Sequence, residues 1–208
     1  MAERAGGSSS AVTGLGSARE GGGARSPASS SQQWGLREAV CICALSAIAV
    51  VAAIPERTGL LPALLALAVV TPRLVAVDMR EHRLPNALVG VAALGVLLAS
   101  LAGCVLDGRP DLLAAATGVL VGGVLLVLSL LGGLGMGDVK LGAVLAWAAA
   151  LVDPSLAVVL VVLSVMFGGV QSAIVLLRTR DRRRSIAFGP ALLAGYWLPV
   201  AWLAILPG

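Results

Sequence analysis

Charge is what this chain most lacks. Only 12% of its 208 residues are Asp, Glu, Lys or Arg, while 58% are hydrophobic. A soluble domain of this size runs nearer a quarter charged and half apolar. Long stretches carry no charge at all, and runs of about 18 or more apolar residues can cross a bilayer core of roughly 30 Å. A water-soluble globular domain is thereby excluded. Histidine is almost missing too. His82 stands alone, which removes His-Glu-x-x-His metalloprotease chemistry and leaves no second imidazole for a metal. The three cysteines, Cys41, Cys43 and Cys104, form no Cys-x-x-Cys pair and lie in apolar stretches as small packing residues. No metal and no cofactor is expected. A Gly-Lys-Ser/Thr phosphate loop is absent, and no Gly-x-Gly-x-x-Gly aligns, because Asp138 or Lys140 falls where the third glycine belongs. The net charge of +4 does not point to nucleic acid, since the basic residues sit in short loops between apolar runs, where they report membrane orientation.

What remains is a helical membrane protein. Residues 1–34, rich in Gly, Ser and Ala, cannot bury enough apolar surface to offset chain entropy and are expected to form a disordered tail. Residues 35–208 make up the membrane-embedded domain, an all-α polytopic transmembrane bundle. Seven apolar segments fall at roughly 38–54, 60–77, 86–106, 112–131, 139–152, 155–177 and 186–206. The fifth is short, and only Asp153-Pro154 separates it from the sixth, so six helices are an alternative to seven. With seven, every lysine and arginine except Arg57 and Arg109 lies on one side. The positive-inside rule then sets the N-terminus in the cytoplasm and the C-terminus outside, in a multi-pass protein of the cytoplasmic membrane. The pairs Gly122-Gly123 and Gly168-Gly169 are expected to let helices approach closely.

Two acidic residues stand out against this topology. Asp78 ends the second segment as it reaches the cytoplasmic face, and Asp138 opens the fifth as it leaves that face. Each alone reads as an ordinary solvated helix-end carboxylate. Together they sit at one membrane depth, which permits them to meet without requiring it. Facing carboxylates can share a proton, one activating a water as general base while the other polarises a carbonyl. The run Gly132-Gly133-Leu134-Gly135-Met136-Gly137-Asp138-Val139-Lys140 sets four glycines just ahead of Asp138. Glycine allows close backbone approach and positive φ, which a peptide lying against the loop needs, though a flexible turn explains the same residues. Lys140, the only lysine, offers a formal Ser-Lys dyad; a side chain snorkelling to lipid headgroups is the plainer reading.

These residues resemble a known family. Gly135-Met136-Gly137-Asp138-Val139-Lys140 is similar to the Gly-x-Gly-Asp-Val-Lys motif of type IV prepilin peptidases. Val77-Asp78 followed by Leu84-Pro85-Asn86 looks like their first motif, and Phe188-Gly189-Pro190 like the Phe-Gly-Pro opening their final helix. The resemblance implies that Asp78 and Asp138 are the catalytic pair of an aspartic endopeptidase. Gly135, Gly137, Lys140, Pro85, Asn86, Phe188, Gly189 and Pro190 are then the supporting motif residues. It implies partners as well: prepilin-like precursors, whose short basic leaders are cut after a glycine at the cytoplasmic face, beside the lipid bilayer. The chain departs from long-form members in lacking room for a cysteine-rich insert between its first two segments, and so resembles the short peptidases of tight-adherence pilus systems. Two alternatives differ in kind. Presenilin-like proteases share Gly-x-Gly-Asp, but their first aspartate follows a tyrosine, where Val77 stands here. A non-catalytic pilus-assembly or transport protein would use the aspartates to bind protons or ions.

Overall fold

A computed structural model describes Cys41 and residues 44–48, 58–81, 83–131, 134–179 and 188–205. The tail, Glu56, Arg57, His82, Asp181 and the arginines at 180 and 182–184 lie outside the described residues. So does Cys43. The described chain is all helix, with no strand among its residues. Residues 44–48 are helical within the first predicted segment. A 3-10 turn at Thr58–Leu60 leads into six helices: α1 (Leu61–Glu81), α2 (Asn86–Asp107), α3 (Leu112–Leu130), α4 (Met136–Val152), α5 (Pro154–Thr179) and α6 (Gly189–Ile205). Each matches a predicted segment, with ends moved by a few residues.

Four of these helices, α1, α2, α3 and the part of α5 up to Ile174, are long and apolar enough to cross a membrane. Their connections are short, so successive helices run in opposite directions and the bundle has two ends. One holds the α1–α2 loop and the starts of α4 and α6; the other holds Gly59, Gly103 and the α2–α3 loop.

The short fifth segment is a helix of its own. Asp153 takes an extended conformation (φ −159°, ψ 132°), and α5 begins at Pro154. The seven-segment reading therefore holds over the six-segment one. At 17 residues, α4 is about 25 Å long, less than a full hydrocarbon core. It sits at the centre, packed against α2, α3, α5 and α6, with Leu141, Leu145, Ala146, Ala148, Ala149 and Ala150 all buried. Its partners are protein rather than lipid, so the bilayer thickness does not set its length. The outer helices are the reverse. α3 carries Val119, Leu120, Val124 and Val127 on an exposed face, as a lipid-facing helix does.

Small residues draw the helices together. A Cβ on Gly95 would strike Ala66 and the Pro62 carbonyl, holding α2 against α1; one on Gly118 would lie 2.7 Å from Trp147 Cβ, holding α3 against α4. Of the paired glycines, only one of each pair acts this way. Gly122 faces Ala143 and Gly168 faces the Phe188 ring, whereas Gly123 and Gly169 look onto open space. Between α1 and α6 the link is polar. Trp197 Nε1–H donates to Thr71 Oγ1 at 3.0 Å, and the Thr71 hydroxyl donates to the Leu67 carbonyl at 2.6 Å. Both residues are buried, so the hydroxyl and indole are satisfied where no water reaches.

Candidate active site

Asp78 lies in the last turn of α1, yet only 4% of its surface is exposed. A carboxylate so deeply placed needs donors, and one comes from far along the chain. The backbone N–H of Gly189 donates to Asp78 Oδ2 at 3.1 Å. Gly189 is the first residue of α6, whose opening N–H groups have no partner within the helix and whose dipole favours an anion there. The Phe188-Gly189-Pro190 sequence builds this contact. The Phe188 carbonyl accepts from Ala191 and Leu192 at 3.0 and 3.2 Å, closing the first turn. Pro190 has no N–H to leave unsatisfied. Gly189 must lack a side chain, because a Cβ there would stand 2.6 Å from Asp78 Oδ2. The Phe188 ring, seated in the space left by Gly168 of α5, anchors the start of the helix.

Asp138 sits in the first turn of α4, half-buried, three residues beyond the N-cap Gly135. Its carboxylate lies beside the Gly135 backbone at the start of the helix. Oδ1 is buried with no hydrogen-bond partner among the described residues. The carboxylate is close enough to Asp78 for the charge of one to act on the other. The two aspartates that the sequence separates are thus brought to the same end of the bundle.

The flanking motif residues join the two halves. Lys140, exposed on α4, donates from Nζ to Asn86 Oδ1 at the start of α2, at 3.1 Å. Pro85 caps α2, its carbonyl accepting from Leu88 and Val89 at 3.1 and 3.3 Å. The motif glycines act through clearance rather than unusual backbone angles. Gly135 has φ −75° and ψ 146°, and the positive-φ glycine among the described residues is Gly108, at the other end. A Cβ on Gly137 would lie 2.8 Å from Leu84 Cβ, and one on Gly135 would lie 3.2 Å from Asp138 Oδ2. Leu84, which no sequence argument singled out for a role of its own, therefore lies between the two acidic motifs. Its place in the Leu84-Pro85-Asn86 stretch was visible; its contacts were not.

The sequence model of the type IV leader peptidase family matches residues 64–173, a span that holds both aspartates and stops short of Phe188-Gly189-Pro190. No curated protein and no solved structure matches the chain.

Proposed function

The chain belongs to the type IV leader peptidase family, and from that premise we propose that it is an aspartic endopeptidase of the cytoplasmic membrane that removes the leader of prepilin-like precursors. Asp78 and Asp138 are the catalytic pair. The observation that carries this reading is their placement at one end of the bundle, with Leu84 lying against both Gly137, the residue before Asp138, and Gly189, whose N–H donates to Asp78. Two carboxylates at short range do not both ionise easily and can share one proton. The ionised member takes a proton from water as the water attacks the scissile carbonyl. The protonated member donates to the carbonyl oxygen, and a proton then passes to the leaving amine. Peptide bond and water give a carboxylate and a new amino terminus, and no further reactant is needed.

The cytoplasmic face follows from the lysine and arginine distribution, which sets the Asp78 end on the side where a basic leader remains. The exposed Glu81, one turn beyond Asp78, is a complementary group for that leader.

The test is co-expression of the full chain with a prepilin-like precursor, reading leader removal by gel shift. Asp78→Asn and Asp138→Asn are each expected to leave the precursor uncut at wild-type enzyme levels. Normal processing by either variant would overturn the assignment.

A further inference from the structure

Leu84, part of the first acidic motif, faces the second at Gly137 and the Phe188-Gly189-Pro190 start of α6 at Gly189, with a different methyl group toward each. Cδ1 lies 3.4 Å from the position a Cβ would take on Gly137, the residue before Asp138. Cδ2 lies 3.4 Å from the corresponding position on Gly189, whose N–H holds Asp78. The Leu84 backbone is fixed in turn. It lies three residues beyond the end of α1 and immediately before Pro85, the N-cap of α2, and a residue before proline is confined to extended conformations. Its side chain is half-buried and packs on the bundle core. A line of closely packed neighbours therefore runs from Asp78 through Gly189 and Leu84 to Gly137 and Asp138, across three separate helices. The hydrogen bond between Lys140 and Asn86 fastens the same loop to α4 from the solvent side.

We propose that Leu84 is a positioning residue for the peptidase reaction, a forked wedge whose two branches set the separation between the start of α4 and the start of α6 and so the spacing of the two carboxylates. The inference rests on the catalytic reading above. The γ-branch supplies the reach toward Gly189 through Cδ2 and adds Cδ1 to the Cβ that already faces Gly137. Alanine keeps the Cβ that faces Gly137 and loses both branches. Isoleucine keeps the number of atoms but moves the fork to Cβ, so that one arm no longer reaches. Methionine nearly conserves volume and can follow the groove.

The experiment uses the full-length protein in liposomes with a purified precursor, measuring initial rates against substrate concentration and pH. Wild type, Asp78→Asn and Asp138→Asn are run beside the Leu84 variants. Leu84→Ala is expected to lower kcat by about tenfold to a hundredfold, the scale of a misplacement near 1 Å, with KM within about twofold. Leu84→Ile should fall between Ala and wild type, and Leu84→Met should stay within about threefold of wild type. Carboxylates held less closely couple less, so the two limbs of the pH profile of kcat should draw together in Leu84→Ala. A residue needed only for folding would lower the amount of active enzyme without moving that profile. If Leu84→Ala does not fold, the Ile and Met variants carry the same comparison. Wild-type kcat and an unmoved profile in Leu84→Ala or Leu84→Ile, while the Asp→Asn variants are dead, would overturn the wedge and leave the catalytic pair standing. Activity in the Asp→Asn variants would remove both.

Discussion

The two ends of the bundle are built from the same kinds of residue and differ in how their carboxylates are held. At the end bearing the α2–α3 loop, Asp107, Asp111 and Asp153 are exposed. Asp111 accepts from the Ala114 N–H at 3.0 Å and Asp153 from the Ser155 N–H at 2.7 Å, bonds made within a few residues in sequence. Beside them lies a cavity of about 690 Å³ lined in part by Ser100, Cys104, Asp107 and Arg109. At the other end, Asp78 takes its donor from residue 189 and feels the charge of residue 138. A capping aspartate belongs to its own helix and can be read locally; a carboxylate held by other helices belongs to the tertiary structure.

Exchanging carboxylates for amides breaks the comparison most sharply. Asp78→Asn and Asp138→Asn are expected to lower cleavage by about 10²- to 10⁴-fold, the usual worth of a positioned acid or base, whereas Asp107→Asn and Asp111→Asn should stay within about twofold in the same gel assay. Glycine substitutions come next. Gly189→Ala sets a methyl against Asp78 Oδ2 and should reduce kcat about a hundredfold, while Gly169→Ala and Gly123→Ala, which face open space, should leave it unchanged. Asp111→Ala is expected to affect stability alone. Loss of its cap costs about 1 kcal/mol, seen as a thermal midpoint lower by about 2–4 °C with unaltered cleavage per folded molecule. Between the two ends, Thr71→Val removes the acceptor of Trp197. At about 0.6 kcal/mol, the mean for a hydrogen bond between membrane helices, it should give the smallest shift in midpoint.

Much of this was legible in the sequence, and the remainder divides along a physical line. Apolar runs and their charged ends report depth, so the segments and the shared level of Asp78 and Asp138 could be read directly, whereas the short fifth segment stood open between six and seven helices until the extended backbone at Asp153 divided it from the next. Depth says nothing of azimuth. Helices such as α3 and α4 are apolar all round, and no periodicity distinguishes the lipid face of one from the buried surface of the other. That is why Gly122 and Gly123 looked equivalent in sequence and are not in space. It is also why Leu84, one leucine among many, carried no signal. Its importance comes from two glycines that are distant in sequence and happen to leave room for its two methyl groups.

The bond from Gly189 to Asp78 ties the beginning of the described bundle to its end. The donor belongs to α6, so α1 through α5 can all be threaded into the lipid before the Gly189 N–H reaches the Asp78 carboxylate. On the catalytic reading, the site is complete only once residue 189 has been made and α6 has seated against α1.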